Sequence, residues 1–217
     1  NSGYYDGADP TPGYYPISNY DDLMYLSNLI QFGASLDDCV FYLTNDLDLT
    51  GINHIPIGAE NHFEGIFDGC GYSIRNFSIY QTTNSLYGFF GYIGEDGIVK
   101  NLNFDNANLT QSIDGGRMGA IAGKNNGLIE KCSVTNSTVA SLGTGIIGAI
   151  IGDNESGRIN YSYAISVSID GRYASGITRR GYITNCFTFD IQEAGTYSST
   201  FFYYIGSSDY ITNSYYY

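Results

Sequence analysis

The chain repeats a short pattern of alternating apolar and polar residues. Each copy opens with glycine, or with aspartate in the last copy, and continues through a β-branched residue into further alternating positions. Alternation with a period of two predicts a strand that has one side in a core and the other in solvent. We call the β-branched residues anchors. They are Ile74, Val99, Ile129, Ile159, Ile183 and Ile211.

The spacing of the anchors indicates the architecture. They recur at intervals of 24 to 30 residues, whereas a propeller blade needs roughly 40–45 residues for its four strands. Gly, Tyr, Asn, Ser, Thr and Ile dominate the composition, and these residues suit strands and tight turns better than helices. The sequence therefore predicts an all-β protein. We expect a single right-handed parallel β-helix of about six rungs, with the anchors in one buried column.

A second inward column is expected three residues after each anchor. Its predicted members are Phe77, Leu102, Cys132, Ser162, Cys186 and Ser214. Rungs lie about 4.8 Å apart, so Cys132 and Cys186, two rungs apart, should be roughly 9–10 Å from each other. A disulfide bridges at most about 7 Å between Cα atoms, so these two cysteines should be unpaired. Whether Cys39 pairs with Cys70 stays open.

Corner residues follow the anchors. Two residues after each anchor the chain has Asn76, Asn101, Lys131, Tyr161, Asn185 and Asn213. Asparagine tolerates the left-handed conformation of a sharp corner, and stacked asparagine amides can hydrogen-bond along a ladder. A glycine stands two residues before four anchors and is expected to supply the other bend.

The N-terminal region predicts a capping helix at about residues 19–32. Ser18 and Asn19 can cap its first turn, and Gly33 can end it. Such a helix would cover the open edge of the first rung. We therefore divide the chain into an irregular lead-in at 1–16 and a single β-helix domain at 17–217. Within that domain the first strands lie at 39–68 and the repeats at 69–217.

A second short motif precedes the anchors. It reads Gly88-Phe89-Phe90-Gly91, then Ala120-Ile121-Ala122-Gly123, then Ala149-Ile150-Ile151-Gly152. Followed by the Gly-x-Ile-x-Asn strand, it resembles the repeats of the GLUG-motif family of bacterial surface and secreted proteins. The resemblance covers roughly residues 17–217. It implies a pectin-lyase-like β-helix at the cell surface or in a secreted protein, and such repeats also accompany peptidases that cleave immunoglobulin A.

Loops are the expected place for a ligand. Solenoids usually carry their variable insertions on one side, so we expect the segments between one strand and the next short motif to project from one corner. Tyr173 and Tyr197 lie in these segments and can either stack on a sugar or pack against neighbouring loops. The predicted loops are residues 105–117, 135–144, 165–174 and 189–200.

Charge limits the classes of partner. The net charge is −13, with only nine lysines and arginines, which disfavours nucleic acid and anionic membrane surfaces. No run of about 18 apolar residues predicts membrane insertion. Asn1 is not an initiator methionine, so we expect a removed signal segment and a location that is extracellular or at the cell surface. The sequence gives no indication of the oligomeric state.

Candidate catalytic groups are sparse. The densest carboxylate pairs are Asp46 with Asp48, which alternate with leucines as the wet face of a strand would, and Glu64 with Asp68, which borders a turn. Arg179-Arg180 is the one adjacent basic pair. We therefore expect no catalytic, cofactor or metal site and leave the ligand-binding residues open.

Three functions follow from this interpretation. The first is a non-catalytic surface module for adhesion or recognition of a glycan or a host or cell-surface protein, or a stalk. The second is a glycan-processing lyase or hydrolase of the β-helix class, which would need two or three carboxylates in one groove. The third is an accessory repeat region of a larger secreted peptidase.

Overall fold

The computed structural model describes residues 9–81, 85–199 and 210–216. Within these ranges the chain forms one short helix and parallel strands that coil into a β-solenoid of about seven turns. The strands belong to sheets of eight, ten, five and three strands along its sides, and two strands of the ten-stranded sheet lie off its main path. The predicted fold class is confirmed, with about one turn more than the six rungs expected.

The elements follow one another in a regular order along the chain. The first half comprises β1 Gly13–Ile17, α1 Tyr20–Gln31, β2 Cys39–Leu43, β3 Leu47–Asp48, β4 Ile66–Asp68, β5 Ser73–Arg75, β6 Ser78–Gln81, β7 Leu86–Tyr87, β8 Phe90–Ile93, β9 Ile98–Lys100, β10 Asn103–Asp105, β11 Asn108–Gln111, β12 Arg117–Gly119 and β13 Ala122–Asn125. The second half comprises β14 Leu128–Glu130, β15 Ser133–Thr135, β16 Thr138–Ser141, β17 Ile146–Gly148, β18 Ile151–Asp153, β19 Arg158–Asn160, β20 Tyr163–Asp170, β21 Tyr173–Ser175, β22 Tyr182–Thr184, β23 Phe187–Ala194, β24 Tyr197–Ser199, β25 Tyr210–Thr212 and β26 Tyr215–Tyr216.

The anchor column forms as predicted from the second anchor onward. Val99, Ile129, Ile159, Ile183 and Ile211 are register partners in consecutive strands of the eight-stranded sheet. The first four are fully buried, and Ile211 is half-buried. Because each residue packs on its equivalent in the next turn, the column fills the interior continuously.

Ile74 does not belong to this column, and here the prediction is wrong. The partner of Val99 in the preceding turn is Phe67. Ile74 instead pairs with Phe104 in the ten-stranded sheet, one side further round the coil. Phe77, three residues later, moves with it and lies outside the column of Leu102. The error arises because each turn has two corners of the same local sequence type, each an apolar residue followed two positions later by a left-handed residue.

The inward column after the anchors is otherwise as expected. The amide of Cys132 donates to the hydroxyl of Ser162, and the amide of Cys186 donates to that of Ser214. Ser162 thus separates the two buried cysteines, and all four cysteines of the chain are free thiols. Burial raises the pKa of Cys132 to about 12 and that of Cys186 to about 11.

Two columns of left-handed residues form the corners. The predicted corner residues all have positive φ, between 47° and 62°. A second column, of which Asn76 is a member, has the same conformation at Asn106, Asn136, Ser166 and Asp190. The amide of Asn106 donates to that of Asn76 at 2.7 Å, as an asparagine ladder requires. Elsewhere the donor meets a carboxylate instead, as in the bond from Asn136 to Asp105.

The glycines before the anchors serve a different purpose from the predicted one. Gly127 has no left-handed φ, but a Cβ atom there would lie 2.1 Å from the carbonyl oxygen of Gly97 in the preceding turn. Close stacking of the turns, rather than a special backbone conformation, therefore requires glycine. Gly181 is the exception, since its φ is 102°.

The predicted loops are largely strands, which is a second correction. Residues 108–111 and 138–141 form β11 and β16 and pair in register, and β20 with β21 and β23 with β24 cover most of 165–174 and 189–199. Residue 200 lies outside the described residues. The remaining residues form short turns. Backbone hydrogen bonds connect equivalent positions in successive turns of the solenoid, such as the bond from Leu142 N–H to Gln111 O. Each turn contains more strand residues than the alternation around the anchors predicted, so within 85–199 none of the predicted segments projects as a long loop.

The N-terminal helix is confirmed. Asn19 accepts a hydrogen bond from the amide of Asp22 and caps α1, whose residues Leu23, Leu26 and Leu29 are buried in the core. The predicted irregular lead-in at 1–16 needs correction, because β1 begins at Gly13 and pairs with β2 along its whole length. Residues 1–8 of the lead-in lie outside the described residues.

Candidate functional site

Exposed aromatic rings gather on the late turns of the solenoid. Among the described residues between 158 and 216 seven rings are exposed, whereas between 85 and 157 the one large exposed hydrophobic residue of the described chain is Leu142. Four further exposed rings, Tyr14, Phe32, Tyr72 and Tyr80, are spread over the residues before 85. Tyr182 and Tyr210 are register partners on the outside of the eight-stranded sheet, so their rings are column neighbours. The seven are Tyr161, Tyr182, Phe189, Tyr197, Tyr210, Tyr215 and Tyr216.

Tyr173 and Tyr197 form a stacked pair on the outside of the five-stranded sheet. Their ring centroids are 5.6 Å apart with an interplanar angle of 13°, and the guanidinium of Arg172 lies within 6 Å of both centroids. Of the two alternatives given for these residues, packing against the neighbouring turn is the one that the structure shows. The same outward column contains Ile146 and Arg117 in the two preceding turns.

A cluster of charged side chains lies where the five-stranded sheet meets the three-stranded sheet. At its centre the carboxylate of Asp153, which is fully buried, accepts hydrogen bonds from the Nε atoms of Arg117 and Arg180 at 2.8 and 2.7 Å. Arg179 lies 3.9 Å from the same carboxylate. We call this cluster the ionic junction. Its members are Arg117, Lys124, Asp153, Glu155, Arg179 and Arg180.

The ionic junction fixes the charge of its acidic members. Burial by itself raises the pKa of Asp153, but the hydrogen bonds from Arg180 and Arg117 outweigh burial and hold that pKa below its ordinary value. The hydrogen bond from Lys124 lowers the pKa of Glu155. Both carboxylates are therefore ionised at neutral pH, so neither is poised to give or take a proton there.

The acidic pairs noted in the sequence have structural partners. Asp46 accepts from the amide of Ser73 and pairs with Arg75, and Asp48 accepts from Thr50 and from the amide of Asn76. The alternation with leucine is as predicted, since Leu47 is buried and both aspartates are exposed. These carboxylates hold consecutive turns together.

Glu64 and Asp68 behave in the same way. Glu64 accepts from the amide of Asp96 and pairs with His62. Asp68 accepts from the amide of Cys70 in the turn that the sequence predicted. Among the described residues no group of three or more His, Cys, Asp or Glu side chains is placed to hold a metal ion. In the same part of the chain, no helix has the length and apolar character needed to cross a membrane.

A shallow groove runs beside the outward apolar column of the eight-stranded sheet. Its volume is about 600 Å³, and Ile98 and Leu128 lie on its floor with Glu95, Asp96 and Arg158 at its sides. The residues are too few and too open to define a pocket for a small molecule, which is usually buried over most of its surface. A smaller cavity of about 130 Å³ separates Ile30 of the helix from Pro56.

Sequence reasoning missed the ionic junction. Asp153 is 36 residues from Arg117 and 27 from Arg180, and nothing local connects them. The adjacent pair Arg179-Arg180 was visible, but only the turn-to-turn register brings it to Asp153. The signal that could have found it is spacing, because 27 and 36 both lie near the length of one turn.

The fold defines a class of protein, the parallel β-solenoid, in which each turn packs only on its neighbours. The chain is 40% identical over 101 residues to a "Putative Gly-rich membrane protein" of Evansella cellulosilytica, a match to 43% of this chain and 12% of that protein. It is 29% identical over 170 residues to "Halomucin" of Haloquadratum walsbyi, a match to 71% of this chain and 2% of that protein. The chain thus spans a small part of each relative.

No protein-family model matches the chain. Among solved structures, a protein described as a putative immunoglobulin A1 protease from Bacteroides ovatus superposes with a TM-score of 0.48 and 15% identity. The superposition covers 99% of this chain and 86% of that chain.

Proposed function

We propose that the chain is a non-catalytic recognition module of an extracellular or cell-surface protein, with rungs of the GLUG type, and that it binds glycans. The observation that carries this proposal is the group of exposed rings on the late turns, defined above. Tyrosine offers an apolar ring face and a polar hydroxyl, a combination enriched at interfaces where one end of the residue stays wet. A sugar presents the matching surface, apolar C–H groups on one side and hydroxyls at the rim.

Two further observations favour recognition over catalysis. The carboxylates of Asp46, Asp48, Glu64 and Asp68 are occupied by amides and cations of neighbouring turns. Exposed rings that neighbour one another, such as Tyr182 and Tyr210, are by contrast typical of surfaces that contact other molecules. A surface location fits the names of the two relatives, one described as a Gly-rich membrane protein and the other as halomucin.

The proposal is tested by glycan binding with ring variants. Tyr182→Ala and Tyr197→Ala each remove one exposed ring, on different sheets, and Tyr80→Ala is the matched control. Tyr80 is 59% exposed, but its column neighbours are Thr110 and Ala140 rather than rings. At least one of the two late variants should bind oligosaccharides about threefold to tenfold more weakly in calorimetry, and Tyr80→Ala should bind like the unmodified chain.

Two results would contradict the proposal. Equal affinity in all variants would show that the rings do not recognise the ligand. Appearance of new reducing ends or unsaturated products after incubation with a polysaccharide would show that the module is an enzyme of the β-helix class.

A further inference from the structure

We propose that the ionic junction binds a carboxylate of an acidic glycan, such as a uronate residue. This inference rests on the proposed function and names the class of glycan. Three features of the junction support it: the charge, the accessibility of the cations and one donor that the protein does not use. The alignment of the junction with the stacked rings of Tyr173 and Tyr197 is the fourth support.

The junction is a positive site on a strongly negative chain. The chain has a net charge of −13 and nine basic residues in all. Four of the nine are in the junction, where the ion pairs involve only two carboxylates, those of Asp153 and Glu155. The junction thus has a surplus of two positive charges. Since like charges are placed together at a cost, a bound anion would stabilise this arrangement.

The cations remain within reach of a ligand. Their side chains are between 22% and 34% exposed, whereas Asp153 beneath them is 0% exposed. The acid is therefore at the bottom of the cluster and the cationic groups cover it. Glu155 is 43% exposed and shares this surface, so a ligand approaching from solvent meets three guanidinium groups and one ammonium group beside one carboxylate.

Arg179 has a donor that the protein does not use. Its Nε atom is buried and has no hydrogen-bond partner among the described residues, and its other contact with Asp153 is a distant 3.9 Å. A buried charged donor without an acceptor is costly. Because the Nε atom is shielded from solvent, a carboxylate from solution would meet the terminal amino groups of the 31% exposed Arg179 side chain, which also present paired N–H donors to two carboxylate oxygens. Arg180 already holds Asp153 in this way.

The rings extend the site along the solenoid. Arg117, Ile146, Tyr173 and Tyr197 occupy one outward column in four consecutive turns. With about 4.8 Å per turn, the stacked rings begin roughly 10 Å from Arg117. A short acidic oligosaccharide lying along the column can therefore place a carboxylate at the junction and a sugar ring near Tyr197.

The test compares tetragalacturonate with its methyl ester, which is neutral, by calorimetry at low salt. Arg179→Gln should weaken binding of tetragalacturonate about tenfold or more, because it removes a charged fork. Lys131→Gln is the matched control, since Lys131 is an exposed cation at a corner away from the junction, and it should change affinity less than about twofold. Thermal unfolding of both variants confirms that they are folded.

Three outcomes would overturn the inference. Equal losses in Arg179→Gln and Lys131→Gln would show a non-specific effect of charge. Equal binding of the methyl ester would show that no carboxylate is recognised, and tighter binding of a sulfated oligosaccharide than of tetragalacturonate would assign the site to sulfate. If the methyl ester binds equally well and Tyr197→Ala weakens it, the proposed glycan recognition stands while the assignment of the ionic junction fails.

Discussion

The early turns of the solenoid bury a cluster of aromatic rings that the described late turns lack, although Tyr72 and Tyr80 of the early turns are exposed as well. In the early turns Phe67, Phe77, Phe89, Phe90 and Phe104 are fully buried, with neighbouring ring centroids 5.2 to 6.3 Å apart. In the late turns the rings are outside. The repeat pattern is shared by both regions, so alternation alone does not decide where a ring goes.

The width of the interior explains the difference. One inward column of the ten-stranded sheet runs from Ile74 through Phe104 and Val134 to Ala164 and Thr188, and its side chains shrink from Phe104 to Ala164. A narrow interior has no room for rings, because protein cores are packed as densely as organic crystals. The early turns thus bury large rings, whereas the core of the late turns is built from smaller residues such as Ala164, Ala174 and Ile183.

The largest expected effect is on the buried column where the two regions meet. Ile129→Asp should prevent folding, since a buried charge without a partner costs many kcal/mol. Leu128→Asp is the matched control, because Leu128 is the outward neighbour in the same strand. It should leave a folded protein, as measured by circular dichroism. Folding of both variants would break the assignment of inward and outward faces.

The second effect compares one ring from each region. Phe89→Ala should lower the free energy of unfolding by about 3–5 kcal/mol through lost burial and a cavity. Tyr210→Ala should change it by about 0.5 kcal/mol or less, as an exposed position allows. Urea unfolding measures both. Equal losses would remove the distinction between early and late turns.

The third effect is a loss of stability at low pH that arises in the early turns and is similar to or smaller than the effect of Phe89→Ala. Burial lowers the pKa of His54 to about 4, although its bond to the carbonyl of Phe89 opposes this. Below about pH 6.5 the His54 imidazole is protonated in the unfolded chain but stays neutral in the folded chain. The free energy of unfolding therefore decreases as the pH falls from about 6.5 to about 4. The loss is about 3 kcal/mol. In urea unfolding at pH 7 and pH 4.5, His54→Phe should show less of this loss; an unchanged loss would mean that His54 is not its source.

The smallest effect concerns the cysteines that connect the two regions. Reductant should not change the stability, because Ser162 separates Cys132 from Cys186 and both thiols are buried. Mass spectrometry of non-reduced peptides should find no link between them. A linked peptide would show that the register between the middle and late turns is wrong.

The sequence predicted the solenoid, the helix and most of the anchor column, because these depend on local alternation and on spacing. It misplaced Ile74 since Ile74-Arg75-Asn76 and Phe104-Asp105-Asn106 belong to the same corner, and that equivalence is visible only in the pairing of strands. The ionic junction was hidden for a related reason. Its residues are remote in sequence, and charges on separate turns give no periodic signal.

The pairing of each strand with its equivalent in the next turn has a consequence for how such chains grow. Partners are separated by 24 to 32 residues throughout. A gene duplication that inserts another turn therefore adds contacts of the same sequence separation as those already present. The entropy of closing each loop stays constant, and the average separation of contacts does not rise with length, as it does in sandwiches and barrels. Long arrays can thus evolve by copying turns without a growing penalty on folding speed.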